Sequence, residues 1–199
     1  MDDDEFDELQ AEQAEAMDFL GPLLPLFHEG WHSAHATYRD YDPKHTADHD
    51  DSTAASCVRC HMWAYVQNQI AGRPGVNLLN VRGLDLLNYY DRYVFRFKKV
   101  NKIGLHRNYP TDQQDDFDKD IPFPELPPAA IRLTSGYQPN EAADAVERVL
   151  VTRVLGRSVL WVSQINVVAA EPIWADITPT RLRGTSRVDA RWQRAGRKQ

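Results

Sequence analysis

The tightest grouping of chemically capable side chains in this chain is His28-Glu29-Gly30-Trp31-His32. On a helix, positions i and i+4 share one face, so His28 and His32 can bind one zinc ion while Glu29 activates a bound water. That chemistry needs a third protein ligand and an open fourth position. His35, His45, His49 or a downstream acid are the candidates. This supports, as the alternative to an interaction protein, a zinc-dependent hydrolase with His28 and His32 as metal ligands and Glu29 as general base. Gly30 inside the motif and Pro22 and Pro25 before it argue against a continuous helix around it.

Cys57-Val58-Arg59-Cys60-His61 adds two thiols and a further imidazole. A structural zinc site would use the cysteines from a tight turn. Here they fall within a predicted helix, where buried cysteines acting as small hydrophobes are expected instead. The string also matches the c-type haem attachment pattern. That attachment belongs to exported proteins, and the acidic stretch MDDDEFDEL does not read as a signal peptide.

Some metal-dependent nucleases place an acid and a lysine two residues apart on a strand. The corresponding triplet here is Arg96-Phe97-Lys98, with an arginine where the acid belongs. The chain contains no G-x-S-x-G, P-loop or G-x-G-x-x-G pattern.

The other chemistry on offer is recognition. Tyr93 to Val100 alternates, and successive side chains of a strand point to opposite faces. Tyr93, Phe95 and Phe97 therefore share one face, and Arg92, Val94, Arg96 and Lys98 the other. The aromatic face is expected to pack on a core and the cationic face to meet water or an anion. Arg92, Arg96, Lys98 and Arg107 are thus the candidate binding residues for nucleic acid or an acidic partner protein.

These residues need elements to hold them. A helix is predicted over 4–20, with acids in its first turn and Phe6, Leu9, Met17 and Leu20 at helical spacing, before Gly21-Pro22 breaks it. Residues 38–51 read as loop. A second helix, starting at Thr53 behind Asp51 or Ser52 as cap, runs to Gly72, and the aromatic strand face should close against it. Leu84, Leu86 and Leu87 read as the hairpin partner of 93–100. A short helix is predicted over 111–120 with Thr111 and Gln114 as a capping box, followed by a proline-rich connector. Strands around 131–134, 146–154 and 159–165 form a meander. Runs of strands after runs of helices predict an α+β fold, an antiparallel twisted sheet of hairpin plus meander packed against N-terminal helices. The organisation expected is an acidic, His-rich helical region over 1–75, a sheet core over 76–170 and an irregular basic tail over 171–199.

Charge is unevenly spread. Residues 1–60 hold 15 Asp and Glu against 3 Lys and Arg, and Arg181 to Lys198 holds seven basic residues against Asp189 alone. An acidic front can therefore cover a basic surface of this chain or of a partner. No apolar run reaches the length of about 18 residues that a membrane-spanning helix needs. Two cysteines without a recognisable export signal predict a reducing cytoplasmic setting.

The segments NVRGLDLLNYYDRYVFRFKKVNKIGLHRNYPTDQQDDFD, LPPAAIRLTSGY and LWVSQI resemble a family of uncharacterised bacterial proteins associated with phages and other mobile elements. The resemblance covers about residues 75–166. It implies a role in phage or mobile-element conflict, such as toxin–antitoxin or defence systems, and so a nucleic-acid or protein partner. It implies no catalytic residue.

Overall fold

The computed structural model describes residues 3–106, 111–168 and 171–179. Four helices come first: α1 (Asp3–Phe19), α2 (Leu24–Arg39), the single turn α3 (Pro43–Thr46) and α4 (Asp51–Tyr65), which continues as a π-helical turn, Val66–Ile70. The strands are β1 (Val76–Val81), β2 (Leu84–Tyr89), β3 (Tyr93–Lys99), β4 (Ile131–Pro139), β5 (Val146–Leu155), β6 (Ser158–Val168) and β7 (Glu171–Asp176), with helix α5 (Asp112–Asp118) between β3 and β4. The α+β class and the N-terminal helical layer are as the sequence predicts.

The strands form one sheet in chain order, β1 to β7. Every junction is antiparallel except β3–β4, which is parallel, with Tyr93 beside Ile131 and Lys99 beside Tyr137. A parallel pair cannot be closed by a tight turn. Residues 100–130 make the crossover. The sheet is mostly antiparallel, and the expected hairpin and meander are both present, each longer by one strand and joined at a parallel seam. Two strands were not foreseen. β1 pairs with β2 across a two-residue turn at Arg82-Gly83. β7, expected as irregular chain, pairs along β6 from Val168 to Ser163.

The helices cover one face of the sheet. Ala16, Met17, Leu20, Phe27, Trp31, Met62 and Ile70 join Tyr93, Phe95, Phe97, Leu133 and Trp161 in the main core. The aromatic face of β3 packs on the helical layer as expected, with α4 lying against the strand and α2 adding aromatic rings. Phe27 meets Phe95 edge-on with ring centroids 5.1 Å apart, and α4 contributes Trp63 at 5.9 Å from Phe97. Each such pair adds about 0.5–1.5 kcal/mol beyond area burial. Polar tips in this core are satisfied: Trp31 Nε1 donates to Ser135 Oγ at 3.0 Å, and Trp161 Nε1 to Glu12 Oε1 at 2.8 Å.

The crossover covers the opposite face. Phe117, Phe123 and Leu126 bury Val81, Leu86 and Val94. Farther along, Val100 packs with Leu150, Val154, Val159 and Val162. Val100 comes so close to β4 that a Cβ at Gly136 would lie 2.7 Å from its Cγ1. Only glycine leaves room for the chain to fold over the sheet at that point.

Candidate functional site

The HEGWH segment is helical after all. Pro25 sits in the first turn of α2, where its missing N–H removes no intrahelical bond. Gly30 is there for packing. A Cβ at this position would stand 2.8 Å from Met62 Sδ and from the Tyr65 ring, so the glycine lets α2 and α4 approach closely. His28 and His32 do share a face, with ring centroids 4.5 Å apart. Burial lowers both pKa values, and for His28 the neighbouring His32 lowers it further. Glu29 is engaged elsewhere. It accepts a hydrogen bond from the Tyr65 phenol, whose pKa is pushed up to about 12 by burial and by this carboxylate.

Three of the other histidines have separate partners. His35 is buried against Tyr137. His49 Nδ1 lies 3.1 Å from the Tyr38 hydroxyl, and His61 Nε2 lies 2.7 Å from that of Tyr41. Among the described residues, no three His, Cys, Asp or Glu side chains converge into a metal-binding group. Cys57 is half-buried and Cys60 exposed, so the thiols are not the buried pair expected.

The cationic face of β3 is not a solvated face. Arg96 is 2% exposed. Its Nε donates to Thr134 Oγ1 at 3.0 Å, its Nη2 donates to Asp118, and its guanidinium lies 4.8 Å from the Phe117 ring centroid. His106 completes the cluster, with Nε2 3.3 Å from Asp118 Oδ2 and Nδ1 3.1 Å from Arg96 Nη2. These partners fix a neutral ring that donates from Nε2 to the carboxylate and accepts at Nδ1 from the guanidinium. Burial depresses the His106 pKa against the pull of Asp118, and the Arg96 charge lowers it further. Burial would raise the Asp118 pKa, but the His106 hydrogen bond and the Arg96 charge hold it below the ordinary value. Both ring nitrogens of His106 are occupied, so the group is closed as a general base.

Lys98, next along this face, has its pKa lowered to about 8, first by burial and then by the charges of Arg96 and Arg59. Arg92 is turned the other way and pairs with Glu15 of the acidic helix α1 at 2.5 Å, over the ring of Phe19. Arg107 and the basic stretch beyond residue 180 lie outside the described residues. The acidic front does cover basic residues of the same chain: Glu15 meets Arg92, Glu12 meets Arg153 at 3.7 Å, and Asp51 meets Lys99 at 3.1 Å.

One recess stays open beside the last of these pairs. A cleft of about 450 Å³ lies between the first turn of α4, the chain leaving β3 and the β4–β5 connection. Asp51, Lys99, Lys102, Gln138, Glu141 and Glu147 supply its polar groups, with Val100 and Pro139 as apolar wall. Lys102 Nζ reaches Glu141 at 3.8 Å across it. Gln138 is 4% exposed; its Nε2 donates to Glu147 Oε2 at 2.8 Å, and its Oε1 is buried without a donor. Sequence reasoning missed Gln138 and Glu147. The available signal was a glutamine between Tyr137 and Pro139 on an otherwise apolar strand end.

No protein-family model, no curated protein and no solved structure matches the chain. No helix among the described residues is long and apolar enough to cross a membrane.

Proposed function

We propose that this chain is an interaction protein that recognises a partner protein at the cleft where the chain leaves β3. The observation that carries this reading is the contrast between closed and open cationic groups. Arg96 is sealed under the crossover, whereas Lys99 and Lys102 of the same basic stretch line a recess large enough for several side chains. The cleft holds carboxylates as well as ammonium groups, which suits a polypeptide segment of mixed charge better than a phosphate backbone. The resemblance over residues 75–166 supports a setting in phage or mobile-element conflict.

The test is an immobilised library of random-sequence peptides, probed with the purified chain and with Ser52→Trp. Ser52 is exposed and lines the cleft, so tryptophan there fills the recess without disturbing the core. Sequence-selective binding by the native chain that Ser52→Trp loses is the expected result. Identical profiles for the two proteins, or binding of single-stranded nucleic acid with a steep salt dependence and no peptide selection, overturns the proposal.

A further inference from the structure

We infer that the cleft contains a subsite for an ammonium group, such as a lysine side chain of the partner, formed by Gln138 Oε1 and Glu147. This rests on the cleft being the recognition site proposed above. A buried acceptor with no donor is unfavourable unless a ligand or water supplies one, at about 1–3 kcal/mol. The Gln138 amide has a defined orientation. Its NH2 group donates to Glu147, which turns Oε1 away from that carboxylate. No donor among the described residues reaches Oε1, which leaves it able to accept one from outside the chain.

Charge selects the kind of donor. Three carboxylates and two ammonium groups line the cleft. Lys99 faces Asp51 at 3.1 Å and Lys102 faces Glu141 at 3.8 Å, both pairs open to solvent, and Glu147 is the carboxylate that stands beside Gln138. A water molecule would satisfy Oε1 alone. An ammonium group satisfies both Oε1 and the carboxylate. It carries three donors and no acceptor, and suits one amide oxygen with one carboxylate. The walls of Val100, Pro139 and Ala55 fit the methylene stem that precedes such a head.

The experiment follows the side-chain amide resonance of Gln138, and the backbone amides of Gln138 and Glu147, in the 15N-labelled full chain. The probes are N-acetyl-lysine methylamide, its norleucine counterpart and its glutamate counterpart. The lysine compound is expected to shift these resonances saturably and to bind at least about tenfold more tightly than the other two. Glu147→Gln, at an exposed position, is expected to weaken it about tenfold. Equal binding of the three compounds, or tighter binding of the glutamate compound, overturns the ammonium assignment and leaves the cleft as a recognition site. So does the absence of any shift in a chain whose peptide selection Ser52→Trp still abolishes. No shift together with no peptide selection removes both.

Discussion

On one face of β3, Tyr93, Phe95 and Phe97 interlock with aromatic rings of the helical layer; on the other, Arg96 lies beneath the crossover and Lys98 is half-buried beside it. The first face is held by packing, which tolerates change in proportion to the volume removed. The second is held by closure of charge, which fails when either partner is lost. An alternating strand thus gives two inside faces, and the cationic one is inside because its counter-charges arrive from the chain that follows it. Asp118 and His106 both belong to the crossover, so strand and cover neutralise each other only once the parallel seam is formed.

The sharpest way to break this contrast is Arg96→Glu. It would bury two carboxylates together and is expected to destabilise the fold by about 4 kcal/mol or more, read from urea denaturation. Arg96→Met combined with Asp118→Leu should regain most of that loss, since a buried pair can be exchanged for apolar volume. A stable Arg96→Glu protein that has lost partner binding would instead make this face a recognition surface. On the aromatic side, Phe95→Ala is expected to lose about 3–4 kcal/mol through the cavity it leaves. It should retain its pH dependence, in contrast to the Arg96 variants.

Lys98 sharpens the same comparison by titration. Its folded pKa of about 8 lies below the ordinary 10.5. Between those values the unfolded chain holds a proton that the folded chain has released, so stability should rise as pH increases through this window. Below the lower value both states are protonated and the effect is flat. An NMR titration of the Lys98 side chain with a midpoint near the ordinary value would show that the cover admits water freely. The smallest effect is expected at Arg92→Gln. Its ion pair with Glu15 is between half-exposed groups, and such pairs contribute about 0–1 kcal/mol. A larger loss would show that the acidic helix is docked by charge rather than by Met17 and Leu20.

Much of this was legible locally. The helices near residues 4–20 and 53–71, the β2–β3 hairpin and the strands of the second meander follow from periodicity and turn residues. The β3–β4 seam was not legible, because no short-range pattern says which distant strand a strand will pair with. The burial of Arg96 was missed for the same reason. Phe117, Phe123 and Leu126 were the hint, being large apolar residues in a proline-rich connector that need a surface to cover. β7 was hidden by Pro172, which reads as a breaker yet is tolerated on an edge strand. The HEGWH motif misled in the opposite sense. Its glycine, taken as a helix breaker, is the contact point between two helices. The cleft could not be read at all, since its polar groups come from positions 51, 99–102 and 138–147.

The parallel seam explains why that cleft exists. Antiparallel neighbours put the end of one strand beside the start of the next, and a turn fills the space between. β3 and β4 run the same way and finish side by side, at Lys99 and Pro139. From there the two chains part, one folding back over the sheet and the other turning into β5. Crevices at the carboxyl ends of parallel strands, where connections leave in opposite directions, are where open α/β sheets hold their ligands. This sheet has a single junction of that kind among the described residues, and the recess lined by Gln138 and Glu147 opens at its carboxyl end.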